Sequence, residues 1–222
     1  MSDEKKTKPD QVRKLPKQSR SIALLEALKS ACLKILEEEG HKALTSNRLC
    51  VVAGVSKGSI YQYVPNIEAL LALIYEDKIL EFLAARTRKT QTQIKTKSLD
   101  DLTFEIIDDT IYFLAELYEL EPNFFCAFPS YFEFDEWYDK LFNTEHAMDG
   151  LIVALFDKLD QSYTERDKNL RVKLFSNTVN TAIRTVVTTE PELIKKPEYS
   201  ELICDLALAI IKSPIEQEKP KQ

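Results

Sequence analysis

Glycine is scarce in this chain, and that scarcity constrains the fold more than any other sequence feature. Only 4 of the 222 residues are glycine, whereas leucine, alanine, glutamate and lysine are abundant. Such a composition favours helices joined by short connections. Apolar residues recur at spacings of three and four, which is the period of a helix face, and no alternating strand pattern persists. The first such face comprises Ile22, Leu25, Leu28, Cys32, Ile35 and Leu36. The sequence therefore predicts an all-α protein.

Changes in composition divide the chain into four segments. Residues 1–18 are charged and almost without apolar residues, which predicts a disordered basic arm. A helical domain with a helix-turn-helix follows over 19–65, and a larger helical domain covers 66–212, with a flexible tail at 213–222. Within the larger domain, the polar run from Lys89 to Ser98 is interpreted as a loop. Long helices are expected at about 135–160, 166–189 and 198–212.

Charge is distributed unevenly along the chain. The net charge is -6, which taken alone argues against a nucleic-acid binder. Residues 1–63, however, contain 12 basic and 7 acidic residues, while residues 64–222 contain 18 basic and 29 acidic ones. A basic N-terminal part on an acidic body suggests a surface for a polyanion, although a solvated tail would account for much of the excess.

Several classes of protein receive no support from the sequence. The four cysteines, Cys32, Cys50, Cys126 and Cys204, are far apart and without neighbouring histidines, so reduced thiols are expected, with no metal site and no cofactor. The chain shows no signal peptide and no apolar run of membrane-spanning length, which makes a cytoplasmic protein without membrane contact the expectation. Neither a phosphate loop nor an acid–base constellation indicates an enzyme.

The segment from Gly54 to Tyr63 (GVSKGSIYQY) contains two of the four glycines. Thr45 is suited to cap a helix over 46–53, and Ser56 is suited to cap the next helix. Gly54 allows the backbone to turn between them with a positive φ. Two short helices joined in this way form a helix-turn-helix, whose second helix can enter the DNA major groove.

The run GVSKGSIYQYVPNIEALL, preceded by a helix that ends in EEEGHKALTSNRL, resembles the DNA-binding domain of the tetracycline-repressor (TetR) family. The match covers about residues 20–75 and keeps the family's order of features. These are a long helix, a glycine, a threonine cap, a short helix, AGVS, G-S-I-Y and N-x-E-A-L-L. C-terminal to that region, the chain resembles the family only in its architecture, an all-helical ligand-binding and dimerisation domain. The resemblance implies a regulator that binds double-stranded DNA at a palindromic operator, usually as a repressor.

The resemblance also implies which residues meet DNA. Ser46 and Asn47 match positions that contact a phosphate and a base edge. Lys57 and Gln62 match base-facing positions, where lysine suits guanine and glutamine suits adenine. Ser59 and both tyrosines match phosphate contacts, with core packing as the alternative for the tyrosines. The full predicted interface is Thr45, Ser46, Asn47, Ser56, Lys57, Gly58, Ser59, Tyr61, Gln62 and Tyr63.

Ile67 departs from the family pattern, which commonly has lysine at the start of the fourth helix. Isoleucine cannot pair with a phosphate, so one contact should be missing. The basic arm, with Lys14, Lys17 and Arg20, is a hypothetical substitute. The departure also leaves room for an alternative function, that of a helical interaction protein whose degenerate helix-turn-helix binds no specific operator.

Residues 112–142 contain 12 of the chain's 21 aromatic residues. An ordinary core of large residues is one interpretation, and an apolar pocket for a small inducer is the other. The resemblance favours the pocket, which would take a largely apolar or aromatic molecule. Its candidate walls are Phe113, Phe128, Tyr131, Trp137 and, as a polar member, Asn177.

The last two long helices, near 166–189 and 198–212, carry strong apolar faces. Those faces could be internal to one chain, but the resemblance implies that they pair with their copies in a homodimer. A ligand in the body would then shift the dimer towards a spacing of recognition helices that no longer fits the operator. The residues do not name the ligand or the operator, and they do not distinguish repression from activation.

Overall fold

The structure is a computed structural model, and it describes residues 19–125, 155 and 164–213. Helices account for nearly all of these residues and none of them lies in a strand, so the all-α prediction is confirmed. The elements are α1 (Ser19–Glu39), α2 (Ser46–Ala53), α3 (Lys57–Tyr63), α4 (Ile67–Gln93), α5 (Leu99–Leu120), α6 (Glu165–Thr189) and α7 (Pro197–Lys212). Short 3₁₀ helices at His41–Ala43 and Pro191–Lys195 precede α2 and α7.

Helix α1 follows its apolar spacing closely. Leu28, Cys32 and Ile35 have no solvent exposure and form the core of the first three helices. The helix ends before Gly40, whose φ of 79° is the left-handed conformation that glycine adopts without strain. Ile22, expected on the same buried face, lies in the first turn of α1 and is instead 47% exposed.

Helix α4 is longer than the sequence suggested. Asn66 caps its start, with Oδ1 accepting a hydrogen bond from the backbone N–H of Ala69 at 2.7 Å. The helix then runs for 27 residues, to Gln93, so the predicted loop from Lys89 to Ser98 is wrong over its first half. The polar residues there are helical because they face α5: Lys89 forms ion pairs with carboxylates of α5, and Thr90 is 1% exposed.

The described residues fall into two compact units, and both boundaries lie within helices. The first unit contains residues 19–80 and 117–125, and the second contains 81–116, 155 and 164–213. The first turns of α4 pack into the core of the first unit, where Leu70, Ile74 and Tyr75 are buried and the Tyr75 hydroxyl donates to the Leu117 carbonyl at 2.8 Å. The domain boundary expected at 65/66 stays a prediction.

In the second unit, α6 and α7 pack against each other through one face of each helix. Val179, Ile183 and Val187 of α6 are buried, as are Ile203 and Ala207 of α7. Polar bonds join the same helices: the Tyr199 hydroxyl donates to the Ala182 carbonyl at 3.0 Å, and Arg171 Nη1 donates to the Ile210 carbonyl at 2.7 Å. Four leucines remain exposed on these helices, namely Leu170, Leu174, Leu202 and Leu206.

Cys32, Cys50 and Cys204 are free thiols, and burial raises the pKa of Cys32 to about 12 and that of Cys204 to about 11. Among the described residues, no group of acidic, histidine or cysteine side chains is arranged to hold a metal ion. None of the described helices combines the length and apolar character needed to cross a bilayer. The predicted arm (1–18), the helix near 135–160 apart from Leu155, Cys126 and residues 214–222 lie outside the described residues.

Candidate nucleic-acid interface

Helices α2 and α3 form a helix-turn-helix whose turn is built by three local interactions. The Thr45 hydroxyl accepts a hydrogen bond from the backbone N–H of Arg48 at 3.2 Å and so caps α2. Gly54 ends α2 with φ 65° and ψ 32°, a left-handed conformation that favours glycine. The Ser56 hydroxyl then caps α3 by accepting from the backbone N–H of Ser59 at 3.2 Å.

Apolar side chains on the inner sides of these helices hold α2 and α3 together and pack the motif against α1. Leu49 of α2, Ile60 of α3 and Val64, which follows α3, are at most 1% exposed. Val52 and Val55 are half-buried. Because the inner face is occupied by these residues, the polar side chains of α3 are directed outwards.

The outward face brings together most of the predicted interface. Asn47, Lys57 and Gln62 are exposed, as are Thr45, Ser56 and Gly58, while Ser46 and Ser59 are half-buried at its edge. The exposed amide of Gln62 and ammonium of Lys57 are free to meet base edges. Contact of these side chains with DNA stays a prediction.

The two tyrosines of α3 occupy different positions, and both hydroxyls are engaged. Tyr61 is 41% exposed, and its hydroxyl lies 2.8 Å from the hydroxyl of Ser46 on α2. Tyr63 is half-buried, and its hydroxyl lies 3.2 Å from that of Ser21 on α1. The exposure of Tyr61 argues against a core role for that residue. Tyr63 combines partial packing with a polar tip.

Gly58 lies in the first turn of α3, on its exposed side. A Cβ atom built there would meet only the Ser56 hydroxyl oxygen, at 3.8 Å, which is an ordinary contact. Its φ is also not in the left-handed region. Nothing within the described chain therefore requires glycine at this position, although glycine lowers helix propensity there.

Two residues of the interface region were not anticipated from the sequence. Arg48 of α2 forms a bidentate pair with Glu39 at the end of α1, with nitrogen–oxygen distances of 2.6–3.0 Å. Hydrogen bonds from Arg48 lower the pKa of Glu39 below its usual value. Ser21 holds the Tyr63 hydroxyl. Both contacts join residues of different helices with no periodic relation, so no sequence pattern could have found them.

Comparison with known proteins gives a fold assignment. The sequence matches no model of a known protein family, and no curated protein matches it significantly. Solved structures do match. FadR of Thermus thermophilus, a TetR-family transcriptional repressor in complex with lauroyl-CoA, is 16% identical with a TM-score of 0.60, over 89% of this chain and 98% of FadR. The chain has the TetR-family fold.

Two further structures agree with the TetR-family fold. A proposed TetR-family transcriptional regulator from Mesorhizobium loti is 13% identical with a TM-score of 0.57, over 87% of this chain and 98% of its own. The multidrug-binding protein EbrR, in complex with imidazole, is 15% identical with a TM-score of 0.53, over 86% of this chain and 96% of its own. The likeness therefore extends well beyond the helix-turn-helix.

The predicted ligand residues are only partly described within this TetR-family fold. Phe113 is half-buried and stacks on Phe82, with ring centroids 4.2 Å apart and planes 2° from parallel. Asn177 is exposed on α6, at the surface of this chain. The other three candidates, Phe128, Tyr131 and Trp137, lie outside the described residues.

A groove of about 650 Å³ lies between α5 and α7 in the second unit. Six carboxylates line it, together with Lys97 and the apolar side chains of Phe104, Cys204 and Leu208. Neither Phe113 nor Asn177 lines this groove. Its acidic lining is unsuited to the apolar inducer predicted from the sequence.

Proposed function

We propose that this protein is a ligand-responsive transcriptional regulator of the TetR family, which binds a palindromic operator as a homodimer. The observation that carries the proposal is the outward face of α3. Its Lys57 and Gln62 are exposed, its start is capped by Ser56, and its inner side is fixed by the buried Ile60. A helix held in this way can present its first turns to base edges in the major groove.

This face is proposed to make two kinds of contact, one with base edges and one with phosphates. Lysine donates hydrogen bonds to base edges, and glutamine both donates and accepts them, so Lys57 and Gln62 would select sequence. The hydroxyls of Ser46, Tyr61 and Ser59 would contact phosphates, which fixes register without selecting sequence. The Ser46–Tyr61 bond supports this division because it holds one hydroxyl of each helix in place before DNA arrives.

The exposed leucines of α6 and α7 support the homodimer. Leu170 and Leu174 are 65% and 51% exposed, and they are four residues apart on one face of α6. Leu202 (67%) and Leu206 (38%) have the same spacing on α7. Two adjacent helices that each expose an apolar face indicate a surface for another molecule. Pairing with a second copy would give a four-helix interface and place two recognition helices roughly 34–36 Å apart.

The ligand is proposed to act by population shift. The structures of FadR with lauroyl-CoA and of EbrR with imidazole show that proteins of this fold bind small molecules. A small molecule with a mainly apolar body would bind the second unit and favour a dimer geometry that fits the operator poorly. Operator DNA would then lower ligand affinity by the same factor. Helix α4, which continues from the first unit into the second, supplies an unbroken helical path for that coupling.

Footprinting of the DNA that flanks the protein's own gene tests DNA binding. A protected palindrome at low salt is expected, and Gln62→Ala or Lys57→Ala should each weaken it by about tenfold, as expected for loss of a base contact. Lys34→Ala removes an exposed lysine of α1 outside the helix-turn-helix and serves as the matched control. If no palindrome is protected at low salt, the result supports the alternative, a helical interaction protein without a specific operator.

Light scattering of the purified chain tests the dimer. The wild type should have twice the chain mass, and Leu202→Glu should yield monomers because it places a charge in an apolar interface. Tyr112→Glu, which alters an equally exposed apolar residue of α5, should leave the mass unchanged. A wild-type monomer at micromolar concentration would contradict the proposed interface.

A further inference from the structure

A buried arginine in the second unit has two nitrogen atoms, carrying three of its five N–H donors, without a hydrogen-bond partner among the described residues. Arg86 of α4 is 3% exposed. Its Nη1 donates to Asp109 Oδ2 on α5, but its Nε and Nη2 have no hydrogen-bond partner among the described residues. The Nε–H bond and one N–H bond of Nη2 lie in the guanidinium plane and point along the same edge of the group, where they match the two oxygens of a carboxylate.

The nearest remaining carboxylate does not occupy this pair of donors. Glu105 Oε2 lies 4.0 Å from Arg86 Nη2, beyond hydrogen-bond distance. Glu105 is held elsewhere, by Lys89 at 2.8 Å, Lys97 at 2.6 Å and Gln93 at 3.2 Å. Although partial burial raises the pKa of Glu105, hydrogen bonds from Lys89, Lys97 and Gln93 lower it to about 2. Glu105 is therefore ionised and committed to other partners.

Ion pairs connect three cations of this cluster, Arg86, Lys89 and Lys97, with two carboxylates, Glu105 and Asp109. Of the three cations, Arg86 is the buried one: its side chain is 2% exposed, against 41% for Lys89 and 36% for Lys97. A buried N–H group without a hydrogen bond is costly, so Nε and Nη2 of Arg86 favour an acceptor that the described residues do not supply.

A second unused donor lies one helical turn further along α4. Thr90 is 1% exposed, its hydroxyl has no partner within the described part of the chain, and it lies four residues after Arg86 on the same helix face. Two other buried polar atoms, Gln93 Oε1 and Thr103 Oγ1, are also unpaired among the described residues. Gln93 Oε1 can only accept, and Thr103 lies roughly on the opposite side of α5 from Glu105, so neither is included.

We propose that Nε and Nη2 of Arg86, together with the Thr90 hydroxyl, form a buried subsite for the carboxylate of a small acid with an apolar body. The guanidinium donates two parallel hydrogen bonds, and the hydroxyl donates a third. The acid is proposed to have an apolar body because the other buried residues of α4 and α5 in this unit are chiefly apolar. They are Leu83, Leu102, Ile106, Ile107 and Ile111. The role of this acid as an effector rests on the proposed regulatory function, whereas its binding does not.

Calorimetric titration of the full chain with decanoate and with decanamide tests the subsite without DNA. The two probes share an apolar tail and differ in charge. Wild type should bind decanoate about tenfold more tightly than decanamide, as expected for a charge-assisted bidentate contact. Arg86→Lys keeps the positive charge but lacks the paired donors, so it should reduce this preference to about twofold or less.

Two more variants keep the test decisive if Arg86→Lys fails to fold. Thr90→Val preserves shape and should weaken decanoate binding by about threefold through loss of one hydrogen bond. Lys89→Met removes the most exposed cation of the same cluster and should retain the preference for decanoate. Circular dichroism melting verifies that each variant is folded.

Several results would overturn the subsite. These are no binding of decanoate, equal affinity for decanoate and decanamide in the wild type, or an undiminished preference for decanoate in folded Arg86→Lys. Regulation is judged separately. If decanoate binds through Arg86 but operator affinity does not change, the subsite stands and its effector role is wrong. If no operator is found at all, the proposed function fails while the binding result remains.

Discussion

Replacement of Gly58 by alanine should raise the stability of the protein and lower its affinity for DNA. The added Cβ would meet only the Ser56 hydroxyl, at 3.8 Å, and the backbone there is not left-handed. Alanine in a helix that accommodates it stabilises a protein by about 0.4–1 kcal/mol, mainly by restricting the unfolded chain. For a chain of this size, that corresponds to an increase in melting temperature of about 1–4 °C.

The effect on DNA binding should have the opposite sign. Gly58 is exposed in the first turn of α3, beside the predicted base-reading residue Lys57, and nothing within the described chain requires it to be glycine. The requirement is then expected to come from DNA, which would approach the backbone more closely than a methyl group allows. A loss of about tenfold, or 1.4 kcal/mol, is expected in fluorescence anisotropy with a labelled operator.

A second glycine provides the control. Gly54 has φ 65°, so Gly54→Ala forces alanine into a left-handed conformation and should destabilise the chain by about 1–2 kcal/mol. The two glycine variants should therefore shift the melting temperature in opposite directions. If Gly58→Ala is more stable yet binds the operator as tightly as wild type, the inferred close approach of DNA is refuted. If Gly58→Ala is less stable than wild type, the inference that this position accommodates a Cβ atom is wrong.

Three further predictions concern single side chains. Tyr61→Phe should change the free energy of unfolding by no more than about 0.5 kcal/mol, because its hydroxyl bond to Ser46 is at the surface, yet weaken operator binding several-fold in a gel shift. Ile67→Lys should steepen the dependence of log affinity on log salt by about 0.9 through one added phosphate contact, and an unchanged slope would show that this position does not meet DNA. The pKa of Glu105 is lowered from 4.5 to about 2, so its ionised form stabilises the fold above that range and this contribution is lost as pH falls through it. When pH is lowered from 4.5 to about 2, the melting temperature of Glu105→Gln should therefore fall less than that of wild type. Equal decreases would show that ionised Glu105 does not stabilise the fold.

The sequence was most informative where one residue determines the local backbone. Thr45 and Ser56 each cap the helix that the sequence predicts to start there, and Gly54 has the predicted left-handed turn. These features depend on side-chain groups within a few residues of the backbone that they bond. Local chemistry therefore sufficed to locate the helix-turn-helix, and the resemblance to the TetR family rested on the same residues.

Features that depend on distant contacts could not be predicted. The run after Lys89 is polar, which predicts a loop, but α4 continues to Gln93 because carboxylates of α5 pair with Lys89. The division between compact units depends likewise on Tyr75 reaching the Leu117 carbonyl, 42 residues away. Arg86 gave no signal in the sequence, because only its position against α5 shows that Nε and Nη2 lack partners.

The pair between Arg48 and Glu39 has a consequence for how the proposed regulator would search a genome. Helices α2 and α3 contain two cations, Arg48 and Lys57, and Glu39 neutralises the first through a bidentate pair. Binding to random DNA is almost entirely electrostatic, so a motif with one uncommitted cation would contribute little to it, and the basic residues that precede α2 would supply most of it. Sliding along the duplex would then depend on those residues more than on the helix-turn-helix. Residence at the correct site would depend on hydrogen bonds and on the fit of two recognition helices, which would make occupancy sensitive to small changes in their spacing.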